Sequence, residues 1–137
     1  MLHLIKFFLL FICFFSVASD DVVITEAWVR SVNENIKISN LYLTVTNNSS
    51  KTDYLTNVTS SISDDITLHK TVIKNNIAQS VKVSILAIPE KTTLKLEPAA
   101  INFVIKNIKS PIKKGQLIEF NLFFDNAGTK KVTAKIK

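Results

Sequence analysis

The chain has 137 residues, a formal charge of +6, 47% hydrophobic residues, two glycines, three prolines and one cysteine. That length allows a single compact domain and excludes a two-core design, and a lone cysteine excludes an intrachain disulfide framework. The basic excess is carried by scattered lysines with Arg30 as the only arginine, which argues against a nucleic-acid interface.

The first element in chain order is a leader. "MLHLIK" supplies a short, weakly basic n-region and "FFLLFICFFSVA" an apolar run of signal-peptide length, too short to span a bilayer. Small residues at Ala18 and Ser19 suit cleavage there, so residues 1–19 read as a signal peptide and 20–137 as the mature domain. An uncleaved N-terminal anchor is the rival reading. Cys13 lacks the small residues that precede a lipidated cysteine and reads as an apolar filler. Cleavage would remove Met1, His3 and Cys13, leaving a domain with no sulfur, a single histidine and a charge of about +5. Such a protein is expected in the periplasm, with no stable membrane insertion after cleavage.

Beyond the leader, apolar and polar residues alternate with period two between short turns. Strands, some with an irregularity, are expected at 22–30, 38–47, 53–60, 65–74, 80–88, 92–97 and 101–108. In "QLIEFNLFF", Ile118, Phe120, Leu122 and Phe124 share one face, and "DNAG" then turns the chain into "KKVTAKIK", with Val132, Ala134 and Ile136 on one side. Seven to nine short strands without a sizeable helix predict an all-β antiparallel sandwich or barrel in one domain. Trp28 reads as a sheet-packing residue, with Arg30 on its own face of the pleat. Asn47, Asn48 and Asn57 each begin an N-x-[ST] triplet, to which no function is assigned.

Catalysis has little to build on. His69, in "DDITLHKTVIK", would need a nucleophile and an orienting carboxylate, and no nucleophile-elbow turn is present. Asp64 and Asp65 lie four and five residues before it on an extended segment, too far along the strand to orient its ring. No enzyme is expected.

The ordered series "ITEAWVRSV", "LYLTVTNNS", "DYLTNVTSSISDDITLHK" and "LAIPEKTTLKLEPAAINFVIKNIKSPIKKGQLIEFNLFF" resembles the periplasmic copper chaperones of the PCu(A)C family, in register from residue 24 to about residue 128. That resemblance implies a cupredoxin-like β fold, Cu(I) as cargo, and delivery toward the CuA centre of cytochrome oxidase. It also implies a ligand pattern of His, ten residues, Met, twenty-one residues, His, one residue, Met. Counted from His69, that spacing leads to Ser80, Asn102 and Val104. The spacing is kept and three of the four ligand types are not.

Residues two apart on a strand share a face, so Asn102 and Val104 would point together, opposite Ile101, Phe103 and Ile105. Thioether and imidazole suit soft Cu(I), whereas a serine hydroxyl and an asparagine amide are hard donors and valine offers none. His69 is therefore the only retained candidate ligand, and tight Cu(I) binding is not expected. No other cofactor is implied. The resulting expectation is a member of the copper-chaperone type with a degenerate metal site, working with oxidase-assembly or other envelope proteins. The competing expectation is a divergent envelope binding or structural module with no metal role.

Overall fold

Alternation builds ten strands in the computed structural model, which describes residues 21–137. They are β1 (Val22–Val29), β2 (Ser39–Asn47), β3 (Asp53–Thr59), β4 (Asp65–Lys74), β5 (Ile77–Val83), β6 (Leu86–Ile88), β7 (Thr92–Leu96), β8 (Ile101–Lys106), β9 (Leu117–Phe124) and β10 (Gly128–Ile136). No helix occurs among the described residues. The expected signal peptide and its cleavage point lie outside them.

The strands form one open sheet in the order β5-β4-β8-β2-β1-β10-β9-β3-β6, with β7 also paired to β2. The sheet closes over a single apolar cluster that includes Val29, Leu41, Phe103, Phe120, Leu122 and Ile136. This is the all-β sandwich that the alternation predicts, of the cupredoxin-like kind that the family resemblance implies. Every named strand pairing is antiparallel except β1 with β10, which run parallel. The predicted segment 80–88 is two strands. β5 pairs with β4, β6 pairs with β3 at the far end of the sheet order, and Ser84–Ile85 carries the chain between them.

Local chemistry accounts for the elements. On β9 the predicted face of Ile118, Phe120, Leu122 and Phe124 is buried, while Leu117 and Glu119 are exposed; each full burial of that kind stabilises by about 1.5–3 kcal/mol. β2 runs through the middle and is covered on both sides, with Tyr42 and Thr44 buried along with Leu41, Leu43 and Val45. On its second face Tyr42 meets side chains of the neighbouring strand β1. Trp28 packs on Tyr42 with ring centroids 4.5 Å apart, and the Arg30 guanidinium lies 5.9 Å from the Tyr42 ring. A bulge between Thr25 and Trp28 turns Glu26 to a φ of 55°, and its carboxylate accepts a 3.1 Å bond from Thr44 Oγ1.

The β4–β5 hairpin turns on two residues, Asn75 and Asn76, at φ 52° and 60°. Asparagine is among the residues that tolerate that left-handed geometry, and the mirror-image turn it builds matches the twist of paired strands.

Candidate functional site

Four neighbouring strands, β5, β4, β8 and β2, bring the spacing-matched residues onto one face. His69 on β4 lies directly across from Asn102 on β8. Two residues along, Thr67 faces Val104, which in turn faces Asn40 on β2. Ser80 on β5 pairs with Thr71 and donates or accepts a 3.2 Å bond with His69 Nδ1. All four sequence-predicted positions, His69, Ser80, Asn102 and Val104, thus meet. Phe103 and Ile105 point to the core, as the i, i+2 rule requires.

The side chains that meet there are already bonded to one another. His69 Nε2 shares a 2.8 Å bond with Thr67 Oγ1, so both ring nitrogens are engaged by hydroxyls. Asn102 Oδ1 accepts a 3.0 Å bond from Asn40 Nδ2. A hydroxyl can donate to one ring nitrogen and accept from the other, so the arrangement suits a neutral imidazole. Partial burial, then Lys106 and Lys82, hold the His69 pKa below its usual value of about 6.5, with Asp65 opposing them.

Those electrostatics cut two ways for a metal. A neutral imidazole needs to shed no proton before ligating. Two flanking ammonium groups, however, repel any cation that approaches. The face offers one imidazole, the two amides of Asn40 and Asn102 and the two hydroxyls of Thr67 and Ser80, with Val104 contributing no donor, and no thioether or thiol occurs among the described residues. Nor do three His, Cys, Asp or Glu side chains come together among them. This set does not fit Cu(I) well, because soft ions favour sulfur and convergent imidazoles.

The acids near His69 in sequence are occupied elsewhere. Asp64 pairs with Lys109 at 3.0 Å, and Asp65 Oδ2 accepts from Asn107 at 3.2 Å. Neither bonds the ring, although Asp65 acts on it through space. Sequence reasoning missed Thr67 and Asn40, which complete the network. The signal was present for Thr67, two residues before His69 on the same strand face; Asn40 depends on the pairing of β2 with β8 and left no local trace.

Comparison with known proteins fits this fold. A family model described as "Putative lipoprotein LpqE-like" matches residues 22–136. A protein of Leifsonia xyli subsp. xyli described as "Putative lipoprotein Lxx21020" is 31% identical over 121 residues, covering 87% of this chain and 71% of its own. Among solved structures, the copper-bound PCuAC domain from PmoF2 superposes with a TM-score of 0.74 at 20% identity, covering 85% of this chain and 92% of that one. The solution structure of CuI-DR1885 from Deinococcus radiodurans gives 0.71 at 25% identity, covering 89% and 81%.

Proposed function

The chain belongs to the LpqE-like family, and from that premise we propose that it is an envelope protein of the PCuAC copper-chaperone type whose own Cu(I) site has been given up. It serves copper handling or CuA assembly through contacts with other proteins and carries out no catalysis.

One observation carries this reading. The face that carries the four spacing-matched positions holds side chains already bonded to one another, His69 to Thr67 and Ser80 and Asn102 to Asn40, flanked by Lys82 and Lys106. The fold shared with a copper-bound PCuAC domain and with CuI-DR1885 supports the copper-handling ancestry. For a metal to take His69, it would have to displace a hydroxyl bond and face two cations with no sulfur donor to compensate.

Competitive titration of the processed protein with Cu(I) against a chromophoric chelator tests the proposal. The chelator should keep the metal. Stoichiometric, chelator-resistant binding would overturn it.

Export is the second part of the proposal, supported by the leader and by the description of the relatives as lipoproteins. Mass spectrometry of protein from the envelope fraction should find a mature start at Ser19 or Asp20. A lipidated start at Cys13 would keep the envelope location and change the attachment, and an intact Met1 would refute processing.

A further inference from the structure

Strand β5 ends the sheet order, and its outer side faces no other strand among the described residues. The two-residue turn makes Lys74 and Ile77 the closing hydrogen-bonded pair, and alternation then directs the backbone groups of Ile77, Gln79, Val81 and Val83 toward β4. The N–H and C=O groups of Ala78, Ser80 and Lys82 consequently face outward. Sheet edges are ordinarily blunted by shortness, a proline, a bulge or a charged side chain, and Lys82 is the one such device on β5. At the other end of the order β6 follows that rule, being three residues long and running into Pro89. β5 has seven residues, no proline, and an uninterrupted register with β4.

Charge and shape say what would fit there. Between Ile66 and Val83 the chain carries Lys70, Lys74 and Lys82 and no acidic residue. A second copy would bring a like-charged edge against this one, whereas an acidic strand would be attracted. Where β5 ends, a cleft of about 220 Å³ with a mixed lining opens, in which Leu55, Leu68, Val83 and Phe103 stand beside the polar Asn57, Lys82 and Ser84. It is large enough for one apolar side chain, next to a lysine. On the core-side face the hairpin also leaves Ile77 and Val81 exposed.

We propose that β5 is a docking edge that takes an extended acidic segment of a partner protein as an added antiparallel strand. Main-chain bonds to Ala78, Ser80 and Lys82 would supply the affinity, and the cleft and Lys82 the selection. The favoured segment has an acidic residue opposite Lys82 and an apolar one beside it, entering the cleft. The inference rests on the part of the proposed function that assigns protein contacts and not on the part concerning copper. The edge adjoins the His69 face, so an added strand would lie beside Ser80.

The test uses the isotope-labelled protein without copper and the probe peptide acetyl-Ser-Leu-Glu-Val-Thr-Val-Glu-Ser-amide, followed by NMR. Binding should slow hydrogen exchange at the amides of Ala78, Ser80 and Lys82, and a peptide with Lys for both Glu should not bind. Ala78→Pro, which places proline on an edge where its missing N–H harms no existing ladder, should weaken binding at least about tenfold. Lys82→Glu should weaken it about fivefold and favour the lysine peptide instead, a charge swap that a fold defect would not produce. Absence of binding at millimolar peptide, or binding that leaves those three amides unprotected, would overturn the proposal. So would protection that grows with protein concentration alone, which would assign the edge to a second copy. Copper results bear on none of these outcomes.

Discussion

Two polar regions of this domain have met opposite fates. At the β2–β3 corner, Asn47 is fully buried; its Nδ2 donates to the carbonyls of Lys51 and Ile88, and its Oδ1 accepts from the N–H and hydroxyl of Ser49. Beside it the buried carboxylate of Asp53 accepts from the backbone N–H groups of Tyr54, Asn126 and Ala127, tying β3 to the β9–β10 turn. On the His69 face, by contrast, half-buried or exposed side chains bond chiefly to one another. Buried groups bonded to backbone cannot be exchanged without leaving unpaired partners in the interior. Side chains bonded to each other at the surface can be replaced as a set, with water standing in. The fold therefore resists change at the corner and permits it on the face that carries His69, Ser80, Asn102 and Val104.

The largest expected effect sharpens that contrast from the permissive side. Ser80→Met, Asn102→His and Val104→Met together should place two imidazoles and two thioethers around one point. Cu(I) affinity should rise about a thousandfold or more, roughly 4 kcal/mol, and fall back when His69→Ala is added. A folded triple variant as inert as its parent would show that these positions are not the vacated ligand set.

Next comes the resistant side. Asp53→Ala leaves three backbone donors without their carboxylate and should cost about 3 kcal/mol in urea denaturation. Asn47→Ala should cost about 2 kcal/mol, since two interior carbonyl contacts are lost. Losses below about 0.5 kcal/mol in both would erase the distinction between corner and face.

The smallest effects lie at His69. Because its folded pKa is lowered, the unfolded chain binds the proton more readily. Its contribution to stability is present above the usual value near 6.5 and is lost as pH falls through that value toward the folded pKa. His69→Ala should change stability by less than about 1 kcal/mol and should flatten this pH dependence between pH 7.5 and 5.5, as followed by thermal melts. An unchanged slope in the variant would move the titration to another group.

Period-two alternation made most of this architecture legible, because a half-buried strand writes its two faces into the sequence, as in Ile118 to Phe124. The convergence of Asn102 and Val104 was readable for the same reason. Partners across strands were not. Nothing local says that β4 lies between β5 and β8, that Asn40 reaches Asn102, or that the first and last strands run parallel. The start of β5 was placed at Ser80 instead of Ile77 because the Asn75–Asn76 turn was not recognised, although paired asparagines between apolar runs are a hairpin signal. Asn47 was considered only as the start of an N-x-[ST] triplet, and Asp53 not at all. Their importance comes from burial, which depends on Ile88 and Ala127, residues 41 and 74 positions away.

The parallel pairing of β10 with β1 has a consequence for the order of events as the chain is made. In the sheet, β10 stands between β1 and β9, and the Lys137 carbonyl and amide bond Ser31 and Val29. Until β10 is available, β5-β4-β8-β2-β1 and β9-β3-β6 are two unjoined fragments with a shared core left open. A growing polypeptide emerging N-terminus first thus has no complete domain to fold into until β10 has been added. Folding of the domain then waits for β10 and is dominated by contacts distant in sequence, and a chain stalled or cut short before β10 would expose the edges of β1 and β9 together, as targets for chaperones and proteases.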